Sequence, residues 1–165
     1  MEEIIKSLKD KFGEIVEKIE GTRDMPTIKV PSEKIIEIGA YLKDKCPISF
    51  EQLTDITCVD ELPKKPRFKV VYHILSLSKN QRLRIVTYVD EETPEIDSVT
   101  GIWAGANWLE REAYDMFGIK FKGHPDLKRI LMPFDYEHHP LRKDFPVRGI
   151  DPGKLYKKWD RERKA

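Results

Sequence analysis

The first clear pattern in the chain is an apolar stripe with helical spacing near the N-terminus. Across residues 4–19, apolar side chains recur at steps of three and four, which predicts one amphipathic helix that Gly21 ends. The members of this stripe are Ile5, Leu8, Phe12, Ile15 and Ile19. The segment PTIKV then predicts a short strand with Ile28 and Val30 on one face.

A second helix is predicted directly after this strand. Pro31 and Ser32 are typical of a helix start, and Ser32 is the expected N-cap. Ile35, Ile38 and Leu42 follow the helical period, so they predict a side of the helix that is buried against the strands.

The middle of the chain predicts three strands. Residues 53–59 alternate between two faces and are rich in β-branched side chains, which predicts a strand. The segments FKVVYHILSL and RLRIVTYV, joined by SKNQ, predict a β-hairpin. In the second strand of the hairpin, Leu83, Ile85 and Val89 alternate with more polar residues, so one face is expected to be dry and the other wet.

The segment GIWAGANWLEREAYDMFG predicts a third helix with clear signals at both ends. Asn107 is the expected N-cap, and Glu110, three residues later, completes a capping box. Gly118 is expected to end the helix. The apolar stripe of this helix contains Leu109, Ala113, Met116 and Phe117.

The order of these elements predicts an α+β fold, a mainly antiparallel sheet covered by helices, with a long irregular C-terminal extension. We place the α+β core domain at residues 1–117 and the extension at residues 118–165. The extension contains five prolines and no sustained period, yet it is rich in aromatic and basic residues. Disordered tails are usually poor in aromatics, whereas interfaces favour aromatics and arginine. We therefore expect the extension to be a tail that binds a partner.

Composition narrows the class of protein further. The 30 basic residues nearly balance the 29 acidic ones, which argues against a generally cationic nucleic-acid binder and against a disordered chain. The basic excess is confined to residues 141–165. The two Gln and two Asn beside many Lys and Glu are typical of proteins from hot environments. No stretch approaches the roughly twenty apolar residues that span a bilayer, so any membrane location is expected to come through other proteins.

The candidate metal-ligating and nucleophilic residues do not form a recognisable motif. Cys46 and Cys58 have neither a CxxC spacing nor a nearby histidine, so both are expected to be free thiols. His124, His138 and His139 could be imagined as metal ligands. Adjacent histidines in an extended segment point to opposite sides, however, which favours surface or interface positions. Nucleophile and phosphate-binding motifs are missing as well, so nucleophilic catalysis has little support and we expect no nucleotide site in this chain.

The acids of the third helix leave two interpretations open. Glu112 and Asp115 are three residues apart and could act as paired carboxylates in acid/base work. A small hydrolase that uses Glu112 and His124 is a related alternative. Alternatively, Arg111 can pair with Asp115 at a spacing of four, which would make the acids structural. The basic tail keeps an RNA-binding α+β module as a remote alternative.

The segment GIWAGANWLEREAYDMFGIKFKGHPDLKRILMPFDYEHHPLRKDFP resembles the signature region of the 30 kDa, or NuoC-type, subunit family of respiratory complex I. The family pattern is ERE, a short gap to an acid and two apolar residues, then basic or histidine residues before an aliphatic pair. The match runs without a gap from about Gly101 to Pro146, and the strands before it also look like the family. The matching residues are Glu110, Arg111, Glu112, Asp115, Met116, Phe117, His124, Lys128, Ile130 and Leu131.

This resemblance implies a structural subunit of proton-translocating NADH:quinone oxidoreductase, peripheral on the cytoplasmic side of the cell membrane. FMN, iron–sulfur clusters and quinone would lie in neighbouring subunits, and the resemblance implies no catalytic residue, cofactor or metal site in this chain. The implied partners are the NuoD-type subunit and other subunits of the hydrophilic arm, and no nucleic acid. The alternative is the equivalent subunit of a membrane-bound nickel–iron hydrogenase or ferredoxin-linked relative, since His138 stands where the family often has glycine.

The residues HPLRKDFP, positions 139–146, are then expected to form a strap that lies on the partner. The expected interface residues are His139, Pro140, Leu141, Arg142, Lys143, Asp144 and Phe145. Charged residues of the third helix are expected to hold it to this strap through buried or half-buried charge pairs. Those residues are Glu110, Arg111, Glu112 and Asp115, and His124 and Lys128 complete the structural signature.

Overall fold

The computed structural model describes residues 2–20 and 25–150, which contain three α-helices and two β-sheets. The helices are α1 (Glu2–Phe12), α2 (Ile35–Asp44) and α3 (Ala106–Phe117). The strands are β1 (Glu17–Ile19), β2 (Thr27–Lys29), β3 (Gln52–Asp60), β4 (Phe68–Ser76), β5 (Gln81–Val89), β6 (Glu95–Asp97) and β7 (Lys120–Lys122). Short 3-10 turns at Gly13–Ile15 and Ser32–Lys34 precede β1 and α2.

The larger sheet has the strand order β1-β2-β5-β4-β3. All its neighbouring strands are antiparallel except β2 and β5, which run parallel. The hairpin of β4 and β5 forms as predicted, with Tyr72 opposite Ile85. A separate pair of parallel strands, β6 and β7, lies on either side of α3 in the chain. The predicted α+β class with a mainly antiparallel sheet is confirmed.

A single hydrophobic cluster joins the helices to one face of the larger sheet. Ile38 and Leu42 of α2 are fully buried with Leu83 and Ile85 of β5, as their spacing predicted. Trp103, in the segment before α3, donates its indole N–H to the carbonyl oxygen of residue 50 at 3.0 Å. These contacts fix the start of α3 over the sheet.

The predicted N-terminal helix through residue 19 is wrong, because α1 ends at Phe12. Gly13 has a φ of 73°, a left-handed conformation that glycine adopts readily and that stops a helix. The chain then turns so that Val16 is fully buried while Ile15 is 41% exposed. The last part of the apolar stripe is therefore strand β1, which pairs with β2, and Gly21 lies outside the described residues.

The two predicted N-caps are also wrong. Ser32 makes no capping bond through its side chain, because a 3-10 turn supplies the bond from the backbone: the amide of Lys34 donates to the carbonyl of Pro31 at 3.1 Å. The helix α3 begins at Ala106 with Gly105 at the N-cap, so Asn107 already lies inside the helix. Its amide donates to a backbone carbonyl of the preceding turn.

The extension after α3 starts with β7 and continues to residue 150 without a further helix or strand in the part of the chain that the structure describes. The division of the chain at residue 117 stays a prediction, and residues 151–165 lie outside the described ranges. None of the described helices is both long and apolar enough to cross a membrane.

Candidate interaction site

The carboxylate of Asp115, which is fully buried on α3, binds the first loop of the extension. Its Oδ1 accepts from the Arg129 guanidinium at 2.5 Å. Its Oδ2 accepts from the backbone amides of Ile130, Leu131 and Met132 at 3.0, 2.7 and 2.9 Å. Burial opposes ionisation, but these donors outweigh it and hold the pKa of Asp115 below its ordinary value. The carboxylate thus fixes four consecutive residues of the extension on the helix.

Arg111 binds the same loop through its carbonyl groups. Its Nε and Nη2 donate to the carbonyl oxygens of Lys128 and Arg129, each at 3.1 Å. The guanidinium also lies 5.0 Å from the ring centre of Trp108, a cation–π contact. The predicted ion pair between Arg111 and Asp115 is therefore wrong, because each residue binds the extension rather than the other.

Glu110 points in a different direction, toward the segment after β6. Its carboxylate accepts from the Ser98 hydroxyl at 2.6 Å and from the Val99 amide at 2.7 Å, and it is fully buried. Burial raises the pKa of Glu110 to about 7, although these bonds lower it. The predicted capping box is wrong, because the acid bonds the segment after β6 instead of Asn107. Glu112 is exposed, so only part of the predicted set of charge pairs exists.

The remaining signature residues stabilise the turn after β7. The Nδ1 atom of His124 accepts from the Asp126 amide at 3.0 Å, so its Nε2 carries the proton and donates to the Asn107 carbonyl at 3.1 Å. Lys128 forms an exposed ion pair with Asp126 at 2.7 Å. No group of three or more His, Cys, Asp or Glu side chains within residues 2–20 and 25–150 is arranged to hold a metal ion.

The strap closes the C-terminal end of α3. The last carbonyl groups of a helix have no partner within it, and here three of them are bound by the strap. His139 Nδ1 donates to the carbonyl of residue 115 at 2.9 Å, and the Leu141 amide donates to that of residue 116 at 3.1 Å. Arg142 Nε donates to the carbonyl of residue 117 at 2.7 Å. The next residue, Gly118, has a φ of 79°, and a Cβ there would lie 2.6 Å from His139 Nε2.

The far end of the strap binds a charge cluster in which Arg67 and Asp60 are buried and Glu91 and Asp144 are about half exposed. The Arg67 side chain is 2% exposed, and its Nε and Nη2 donate to both oxygens of Asp60 at 3.0 and 2.7 Å. Its Nη2 and Nη1 also donate to the two oxygens of Asp144 at 2.8 and 3.2 Å. Nη1 donates to Glu91 as well. Arg67 therefore joins the end of β3, the loop after β5 and the strap.

Asp60 also binds the strap directly. Its Oδ2 accepts from the Lys143 amide at 2.8 Å, and its Oδ1 accepts from the Leu62 amide at 2.9 Å. Burial works against the ionised form, but the hydrogen bonds from Arg67 and from these amides hold the pKa of Asp60 well below its ordinary value. Phe68 packs between this cluster and the strap, with the Arg67 and Arg142 guanidinium carbons 4.9 and 5.1 Å from its ring centre.

Several large apolar side chains around the extension remain exposed. Leu141 of the strap is 54% exposed, and Leu131 and Phe134 are 61% and 80% exposed. Trp108 on the neighbouring helix is 62% exposed. Exposed apolar residues grouped on one segment are typical of a surface that binds another protein. In the described part of the extension, the backbone is hydrogen-bonded to the rest of the chain while several apolar side chains are exposed to solvent.

The fold and the site together define an α+β domain that carries an anchored extension on its surface. The chain matches the family of the respiratory-chain NADH dehydrogenase 30 kDa subunit over residues 28–151, and it belongs to that family. The strap and all the signature residues lie within the matched region.

Individual relatives agree with this family. The chain is 47% identical to the C subunit of NADH-quinone oxidoreductase from Geotalea uraniireducens over 144 residues, which covers 87% of each chain. Among solved structures, the trypsin-resistant fragment of Nqo5 shares 34% identity with a TM-score of 0.66, covering 76% of this chain and 99% of the fragment. A chain of the membrane-bound sulfane sulfur reductase, an archaeal respiratory membrane complex, shares 26% identity with a TM-score of 0.74 and covers 96% and 91% of the two chains.

Proposed function

We propose that this chain is a non-catalytic structural subunit of the hydrophilic arm of a proton-translocating NADH:quinone oxidoreductase. In this proposal it packs against the NuoD-type subunit and sits on the cytoplasmic side of the membrane. FMN, iron–sulfur clusters and quinone are held by neighbouring subunits. The family, and the relatives that bear the name of an NADH-quinone oxidoreductase subunit, support the complex.

The observation that carries the docking part of the proposal is the anchored strap with an exposed apolar side chain. Its backbone amides bond α3 and the charge cluster, while the Leu141 side chain remains 54% exposed. A segment that is already ordered loses less conformational entropy when it binds than a flexible one does. The proposed interface residues are His139, Pro140, Leu141, Arg142, Lys143, Asp144 and Phe145.

A structural role also agrees with how the charged side chains of the site are used. Asp115 accepts four hydrogen bonds from the extension, and Arg67 donates to three carboxylates. The carboxylate and the guanidinium are fully used in these bonds, which hold the extension in place on the rest of the chain. This arrangement supports a subunit whose contribution is rigidity and assembly.

The test of the proposed docking is Leu141→Asp in the tagged chain, expressed in the source organism and purified with gentle detergent. We expect a loss of co-purified NuoD-type and NADH-oxidising flavoprotein subunits, because a charge at the centre of an interface is costly to desolvate. Leu77→Asp is the matched control, since Leu77 is 63% exposed in the turn between β4 and β5. Equal recovery of the complex from both variants would show that the strap does not dock there.

A second candidate function is supported by one comparison. The match to a chain of the sulfane sulfur reductase complex covers nearly the whole chain, so an equivalent subunit of a hydrogenase-type or ferredoxin-linked membrane complex is the alternative. Mass spectrometry of the proteins that co-purify with the unmodified tagged chain separates the two. Flavoprotein subunits that oxidise NADH would support the first proposal, and a nickel–iron hydrogenase-type subunit in their place would support the second.

A further inference from the structure

We propose that Arg67 is the positioning residue of the strap: it fixes the strap in the conformation that the partner subunit binds. Arg67 lies just before β4, and 77 positions separate it from Asp144. Its hydrogen bonds to the expected interface go to Asp144, and it acts through that contact. This inference rests on the proposed docking of the strap, and it adds the residue that prepares the strap for docking.

The hydrogen-bond count of Arg67 supports this role. A guanidinium has five N–H groups in a fixed plane, and all five are used here. One is donated from Nε to Asp60, two from Nη2 to Asp60 and Asp144, and two from Nη1 to Glu91 and Asp144. A lysine in this position has three donors at a single atom, so it cannot hold both carboxylates of this planar arrangement in the same way.

The charges in the cluster explain why removal of Arg67 would act on the strap first. Without the guanidinium, Asp60 and Asp144 would repel each other near the point where the Lys143 amide bonds Asp60. Asp60 is fixed in β3 and its side chain is 2% exposed, whereas the Asp144 side chain is 53% exposed. The strap is therefore the element that can move away from the repulsion into water.

The first measurement is amide hydrogen exchange of the purified full chain in Arg67→Lys and Asp144→Asn. We expect the Lys143 amide to exchange about ten- to a hundredfold faster in both variants, since hydrogen bonds to charged groups stabilise by that factor. Amides in the hairpin of β4 and β5 should keep their exchange rates. Arg82→Lys, which changes an exposed arginine of β5, is the matched control and should leave both regions unchanged.

Asp144→Asn keeps the inference testable if Arg67→Lys fails to fold, because it removes only the half-exposed carboxylate of the strap and leaves Arg67 bound to Asp60. In the double variant the effect on the strap should be smaller than the sum of the two single effects, because both act through one contact. Unchanged exchange at Lys143 in Asp144→Asn, or loss of protection across the whole hairpin to the same extent, would overturn the positioning role.

The second measurement is recovery of the assembled complex from membranes that contain each tagged variant. Faster exchange of the strap amides, together with at least a several-fold loss of assembled complex, would support the inference. Released strap amides with full recovery of the complex would mean that Arg67 holds the strap but that the strap is not the docking element, which contradicts the proposed function instead. Loss of complex without any change in the strap amides would overturn the role of Arg67 while leaving the docking intact.

Discussion

Glu110 provides a pH-dependent test of how α3 is fixed to the segment after β6. Its carboxylate is fully buried and its partners in the described structure, the Ser98 hydroxyl and the Val99 amide, are neutral donors. Burial without a cation penalises the charged form, and the pKa rises from 4.5 to about 7. The folded protein should therefore take up a proton at Glu110 at a pH where the unfolded chain has already lost it.

The sign and size of the effect follow from this difference in pKa. Between the ordinary value of 4.5 and about 7, the folded state binds more protons than the unfolded state. The stability from this proton is fully present below the unfolded pKa and is lost as the pH rises through the folded one. One pKa unit corresponds to about 1.4 kcal/mol, so the loss amounts to about 3 kcal/mol.

Glu110→Gln should remove this loss. A glutamine resembles the neutral acid: its oxygen can accept from the Val99 amide, and its amide can donate to the Ser98 oxygen. The Ser98 hydroxyl is then free to donate to the Thr100 hydroxyl, which lies 2.8 Å away. We expect the variant to match the wild type at about pH 4 and to be about 3 kcal/mol more stable at about pH 8.

The assay is urea unfolding of both proteins across this pH range, with the slope of the transition checked for constancy. Glu112→Gln is the control, because Glu112 is exposed two residues further along the same helix and should not change the pH dependence. The reasoning fails if Glu110→Gln keeps the wild-type decline in stability between these two pH values. It also fails if the control removes that decline.

Two further predictions concern the anchoring of the extension. Asp115→Asn should cost about 3 kcal/mol in urea unfolding, because the new amide faces the Arg129 guanidinium and leaves buried donors unpaired. Asp126→Asn, which changes an exposed ion pair, is the control and should leave the midpoint of urea unfolding nearly unchanged. Equal shifts of the midpoint in the two variants would contradict the proposed anchor. Gly118→Ala should cost about 2 kcal/mol by thermal unfolding and speed exchange of the strap amides, because its φ is positive and a Cβ meets the strap. Gly101→Ala has open space and is the control, so matching losses would refute this steric account.

Strands were easier to predict from this sequence than the ends of helices. Alternation over residues 53–59 and in the hairpin predicted the strands, and all three form. The predicted faces hold only in part. Leu53 is buried like Ile56 and Cys58, because the register of β3 shifts between Leu53 and Asp55, and Val86 is buried on the side of β5 that was expected to be wet. The predicted N-terminal helix was too long because apolar residues also recur at steps of three and four after Gly13. Gly13 itself was the available signal, since its left-handed conformation is what ends α1.

The candidate site could be predicted only in part. The resemblance pointed to the signature residues of α3, and the structure brings Arg111 and Asp115 onto one loop of the extension. The sequence contained no signal for Arg67, because its role depends on a contact with Asp144 formed between distant parts of the chain. In the sequence, Arg67 looks like any exposed arginine in a proline-containing loop before a strand. That its side chain is buried can be seen only in the folded chain.

The type of bond used in the site explains this limit. Asp115 accepts from three successive backbone amides, and Arg111 and Arg142 donate to backbone carbonyls, so one member of each of these contacts is a group that nearly every residue has. A pattern of residue types cannot identify such a partner, because residues 130–132 could change identity and still offer the same N–H groups. The side chains that cannot change are those of Asp115 and Arg111 on α3 and of Arg142 on the strap. A signature that is rich in charged residues can therefore arise from holding backbone in place, without any role in catalysis.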